Sequence, residues 1–161
     1  MTTAKNEAAK ESLRRNFVEV FALSAAAIDW LLMMWDISQA FDDVVDGMVM
    51  TGRDYDALIF NSLVGIQVQP FYAEHQSILR PLVALCILKW KGSDIAERQG
   101  SASAKSYMWR AAYYDLVLMA LNLCHGPATA MENAHRVMDL YGETFADYEK
   151  EFSLCRTRLA V

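Results

Sequence analysis

Between Asn16 and Gly52 the chain carries six acidic residues and neither lysine nor arginine. Asp29, Asp36 and Asp43 are spaced by sevens, so on a helix they drift by only about 20° per step and form one line. Asp46 lies one turn past Asp43 on the same side, and Asp42 faces Asp46 at i,i+4. Such pairs repel by about a few tenths of a kcal/mol when exposed. Partial burial raises that cost steeply unless something neutralises the carboxylates. One source of neutralisation is cations from other helices, with Arg80, Lys89, Arg98, Lys105, Arg110 and Arg136 available. The other is a hard divalent ion, Mg²⁺ or Mn²⁺, which takes carboxylate oxygens and bridges to substrate phosphates. On that chemistry Asp36, Asp42, Asp43 and Asp46 are the candidate metal ligands, and Lys105 or Arg110 the candidate phosphate clamp.

The run Asp42-Asp43-Val44-Val45-Asp46 resembles the DDxxD motif of the isoprenoid synthase superfamily, an all-α fold. That resemblance implies Mg²⁺ held against a diphosphate, with Asp42 and Asp46 as main ligands and Asp43 in support. It covers five residues, in a chain about half that family's length, with no clear second metal motif in the late helices. Asp43-x-x-Asp46 is also similar to the acidic pairs of the all-α nucleoside triphosphate pyrophosphohydrolases, small Mg²⁺-dependent bundles. That pattern uses glutamates and a second acidic pair on a neighbouring helix, so the likeness is one of chemistry.

Further along, Glu132, His135 and Asp139 form an i, i+3, i+7 set and a secondary metal candidate. An E-x-x-H step supplies ligands in di-iron bundles, but those use two such steps and two further carboxylates. Tyr107, Trp109, Arg110, Tyr113 and Tyr114 make an aromatic-basic cluster, a pattern more often core or oligomer contact than base-stacking. GxGxxG, P-loop, HExxH, GxSxG and CxxC patterns do not occur, which argues against nucleotide-loop, zincin, serine-hydrolase and thiol-redox chemistry.

The elements that position these residues read as helices. Met33, Ile37, Ala40, Phe41, Val44 and Val45 recur at helical spacing, and Trp30 and Met34 widen the stripe. This predicts a central, largely buried helix over about 25–46, with Ser24 either its cap or a residue inside a longer helix. Asp54 caps a helix to about Val68, and Pro70 opens another. Pro81 kinks or divides that helix. Gly92-Ser93-Asp94 reads as a loop and cap, and Gly100 to Ser106 as a weakly helical connection. Tyr107 to Leu123 is one apolar-periodic run, stopped and restarted by His125-Gly126-Pro127. Ala128 to Tyr141 and Thr144 to Leu154 close the chain. Residues 1–15 form a solvated or frayed arm. The expectation is an all-α, single-domain bundle (1–161) of five to seven helices.

A 54% hydrophobic share with seven Gly and three Pro suits a globular protein of this length. The formal charge of −5 argues against nucleic acid, whose binders usually carry a basic face. Cys86, Cys124 and Cys155 are odd in number and widely spaced, which fits reduced thiols and a cytoplasmic setting. Glu19 and Asp29 interrupt the longest apolar run, each costing about 2.5–3.5 kcal/mol within a span, so no membrane helix is expected. Two functions follow. One is a divalent-metal site on the acidic helix that handles a diphosphate- or phosphate-bearing small molecule. The other is a non-catalytic helical interaction or assembly protein, for which nine Met and four Trp supply adaptable surface for a protein partner or a homodimer.

Overall fold

The computed structural model describes residues 3–140 and 144–159, with side chains from 7 to 140 and from 144 to 152. The fold is all-α. In chain order the helices are α1 (Thr3–Glu19), α2 (Ala25–Val45), α3 (Gly52–Phe60), a π-helical turn (Asn61–Gly65), α4 (Ile66–Val68) and α5 (Pro70–Arg98). There follow α6 (Ala104–Arg110), α7 (Tyr113–His125), α8 (Pro127–Val137), a 3-10 turn (Met138–Leu140) and α9 (Phe145–Leu159). Because α3, the π turn and α4 run end to end, the described residues make eight rods, one more than the upper expectation.

The additional rod comes from a break inside Tyr107–Leu123. The chain turns at Ala111 and Ala112, where the Ala112 carbonyl starts the ladder of α7 by accepting from the Asp115 N–H at 3.0 Å and also accepts from the Cys86 thiol at 3.3 Å. Ala112 is buried there, so the turn is part of the core.

Helix α2 is the axis of that core. Ser24 is its N-cap, accepting from the Ala27 N–H at 3.2 Å. Residues from Ala27 to Ile37 bury most of their circumference against Leu13 and Phe17 of α1, Phe71 and Leu79 of α5, and Leu116 and Val117 of α7. Trp30 stacks on Tyr72 at 6.3 Å, and the Tyr113 hydroxyl donates to the Leu31 carbonyl at 2.8 Å. Burial stops halfway along the helix. Phe41 and Val44, expected in the apolar stripe, are exposed, because the C-terminal half of α2 runs out past the packed layer.

Helix α5 starts at Pro70, preceded by an extended Gln69 as a residue before proline requires. It continues through Pro81, and helical geometry lapses at His75 instead (φ −112°, ψ 17°). Gly92-Ser93-Asp94 is helix, contrary to the loop expected from its composition. The reason is lateral packing. A Cβ on Gly92 would stand 2.9 Å from the Trp109 ring, so glycine admits α6 against α5, and Ser93 and Asp94 are buried with their polar groups engaged. Helix α7 ends at Gly126 (φ 84°), with Pro127 first in α8. Among the described residues, no helix is long and apolar enough to cross a membrane.

Candidate functional site

The acidic line meets cations from three other helices. Lys10 Nζ donates to Asp36 Oδ2 at 2.6 Å, and Arg14 Nη1 lies 3.9 Å from Asp29, both reaching across from α1. Arg110 of α6 donates to Asp42 Oδ2 at 3.4 Å, and Arg98 of α5 lies 3.7 Å from Asp46. Arg98 also donates to the Val45 carbonyl at 3.0 Å, capping the C-terminus of α2 with positive charge, as the helix dipole favours. The pool of basic residues named from sequence contained Arg98 and Arg110 but not Lys10 and Arg14. Those two stand on the segment read as a solvated arm, where Lys10 follows from nothing local. Lys89 pairs with Asp115 and Arg136 with Asn133, so neither serves the acidic line.

Asp36 and Asp42 are therefore drawn to different neighbours, α1 and α6. Among the described residues, no group of three or more His, Cys, Asp or Glu is gathered as a metal site. Asp42 is a partly buried member of the cluster, as is Asp43. Burial pushes the Asp42 carboxyl above the usual range, Arg110 pulls against this, and Asp46 and Asp43 raise it further.

Beneath Asp42, Arg110 turns its other face to a second carboxylate that sequence reasoning missed. Arg110 Nη1 donates to Glu97 Oε2 at 3.0 Å, and only 4% of the Glu97 side chain is exposed. Tyr148 of α9 donates its hydroxyl to Glu97 Oε1 at 2.8 Å and lies 2.7 Å from Ser106 Oγ. Ser93 Oγ is within reach of both Glu97 Oε1 (2.7 Å) and the Ser106 carbonyl (2.8 Å). The Arg110 guanidinium also sits over the Phe152 ring, 5.7 Å from its centroid. Glu97 thus accepts from one charged and two neutral donors on three helices. A carboxylate held in this way ties α5, α6 and α9 together and has little capacity left to take a substrate proton.

The network is anchored beside it by Asp94. Burial raises this carboxyl, but hydrogen bonds from Lys91 (2.6 Å) and Arg98 (2.5 Å) outweigh that and hold it below the ordinary carboxylate value. The signal for this cluster was present in sequence, since Ser93/Glu97 and Asp94/Arg98 are i,i+4 pairs. Reading Gly92-Ser93-Asp94 as a loop concealed it.

The remaining candidates lie elsewhere. Glu132, His135 and Asp139 are exposed, the first two on α8 and the third in the 3-10 turn that follows. Asp139 borders a groove of about 190 Å³ with Asn16, Phe21 and Arg136. A neighbouring groove of about 230 Å³ holds His125, whose Nε2 lies 3.0 Å from the Phe21 carbonyl. Both fall below the roughly 300–1,000 Å³ of typical small-molecule sites. Lys105 is exposed at the start of α6. Of the phosphate-clamp candidates, Arg110 is already engaged by two carboxylates. The Cys86 thiol is pushed up to about 11, chiefly by burial and then by Asp115, so it is an unreactive packing residue at neutral pH. Compared with known protein families, curated proteins and solved structures, the chain matches none.

Proposed function

We propose that this protein is a non-catalytic helical interaction protein that works through an exposed apolar face. One observation carries this reading. The rod made by α3, the π turn and α4 presents Tyr55, Ile59, Phe60, Leu63, Val64 and Val68 to solvent, with Leu63 68% and Val68 70% exposed. Its inner side carries the buried Leu58 and Gly65, and a Cβ on the latter would make ordinary contact with Met33 Sδ of α2 at 3.6 Å. Val44 lies three turns beyond Met33 on α2, on that same side, and adds to the face. Taking roughly 200 Å² for a large apolar side chain, the rod alone exposes on the order of 600 Å², at the top of the range for a whole monomer's largest patch. An apolar surface of that size on an otherwise well-packed chain is what a helix-binding groove needs.

The face is tested by Ile59→Lys with Leu63→Lys. The native protein should enhance the fluorescence of the apolar dye ANS, the variant should lose a clear share of that signal, and its melting temperature should stay within about 2 °C of the parent. A collapse of the melting point would make the rod part of the core and defeat the reading.

A metal-dependent role on phosphate-bearing molecules is the second reading. What supports it is the crowding of Asp42, Asp43 and Asp46, where Asp42 carries a raised carboxyl beside like charges. A saturable rise in melting temperature with Mg²⁺ or Mn²⁺, reversed by chelator and absent in Asp43→Asn/Asp46→Asn, would replace the interaction reading with this one.

A further inference from the structure

Helix α9 stands apart from the core that holds the other helices together. The contiguous apolar cluster runs from Leu13 of α1 to Leu140 of the 3-10 turn, and none of the described side chains of α9 belongs to it. One stripe holds α9 in place. Phe145, Tyr148 and Phe152 recur at i, i+3 and i+7, while Ala146, Asp147, Glu149, Lys150 and Glu151 are exposed. The stripe meets α6, where the Tyr107 ring lies 5.5 Å from that of Phe145 and 5.2 Å from that of Tyr148. At its centre Tyr148 is buried, with its hydroxyl set between Glu97 Oε1 and Ser106 Oγ.

The pocket beneath Tyr148 is satisfied without it. Glu97 Oε1 keeps Ser93 Oγ at 2.7 Å, and Oε2 keeps Arg110 at 3.0 Å. Ser106 Oγ keeps the Ser103 carbonyl at 2.8 Å and the Ser103 N–H at 2.7 Å. Departure of α9 therefore strands no polar group of α5 or α6, and the water that follows hydrates charges instead of an apolar core. We propose that α9 is a reversible latch, which undocks as a unit while the other helices stay packed and so opens a charged socket made by Glu97, Ser106 and Arg110. Segments with few buried apolar contacts are the ones that open below the global unfolding free energy. A helix of 15 residues is marginal by itself, so an undocked α9 also loses its helical hydrogen bonds. Undocking lifts Phe152 from the Arg110 guanidinium and uncovers the cation that reaches Asp42, which couples the latch to the acidic line.

Native-state hydrogen exchange of the full chain tests this, under conditions where exchange reports the opening equilibrium. In the parent, the amides from Glu149 to Arg156 should share one opening constant and exchange at least about a hundredfold faster than the buried amides of α2 and α7. Tyr148→Phe keeps the ring and removes the hydroxyl's bonds to Glu97 and Ser106, so it should speed α9 exchange about tenfold and leave α2 and α7 unchanged. Ile28→Val, a mild change in the core, should do the reverse, speeding α2 and α7 about two- to tenfold and leaving α9 unchanged. If Ile28→Val speeds α9 by the same factor as α2, α9 opens only with the whole fold and the latch is overturned. It is equally overturned by exchange that fades from Leu159 inward to a Glu149–Phe152 segment as protected as α2, which is fraying of a helix end. An α9 rate unmoved by Tyr148→Phe overturns the socket as its holding point.

Discussion

Arg110 is the residue on which the charged cluster depends. It spans two carboxylates from different helices, and one of them, Glu97, is almost fully buried. Removing a cation from a buried carboxylate costs far more than the pair contributes, because the remaining charge stays desolvated. Arg110→Met should lower unfolding free energy by about 3 kcal/mol in urea titration, and adding Glu97→Gln should recover a large part of that. Asp42 and Asp94 respond to pH in opposite senses. The lowered carboxyl of Asp94 contributes stability that is present above the unfolded value of about 3.9 and lost as pH falls through its own lower value. The raised carboxyl of Asp42 binds its proton more tightly when folded, so acidification relieves a cost present at neutral pH. Melting temperatures measured from pH 7 to pH 3 should therefore fall less steeply in Asp94→Asn and more steeply in Asp42→Asn. Equal slopes in both variants would contradict the opposed environments.

At the scale of elements, the contact between α5 and α6 depends on a missing side chain. Gly92 sits mid-helix, where glycine is intrinsically poorer than alanine by about 1 kcal/mol. The Trp109 ring occupies the space a Cβ would take. Gly92→Ala should therefore destabilise the parent by about 1–2 kcal/mol, an overpacking cost, and become neutral or stabilising when Trp109→Ala is also present. An additive cycle would mean that the two helices do not meet there. Element boundaries set by local chemistry were legible in the sequence: Pro70 and Pro127 at first turns and the stop at Gly126, while the choice between cap and helix interior at Ser24 was made by the structure in favour of the cap. Boundaries set by neighbours were not. Ala111 and Ala112 are good helix formers, and nothing local marks the turn there, which lies buried in the core between α6 and α7.

For the whole molecule, the contrast between the two faces of α5 is the most informative comparison. Leu79 is fully buried in the core, and Leu88 faces solvent on the outer side of α5. Leu79→Ala should cost about 2–5 kcal/mol through lost burial and a cavity. Leu88→Ala should change monomer stability by less than about 0.5 kcal/mol, measured at a protein concentration where the chain is monomeric. Similar losses at both positions would place the outer face of α5 inside the core.

The sequence alone carried the fold class, the position of the α2 axis and the identity of the crowded aspartates. Helical periodicity, caps and breakers are properties of residues within a few positions of each other, so they survive without a structure. How the acidic line is neutralised depended on packing. Lys10 reaches Asp36 across 26 residues, Arg110 reaches Asp42 across 68, and Tyr148 reaches Glu97 across 51. No local pattern encodes such pairings, because they arise only once hydrophobic burial has set the helices side by side. Burial of the first half of α2 and exposure of Phe41 and Val44 have the same origin, since both halves carry apolar residues at the same spacing. Neighbouring helices were available to cover only one of them.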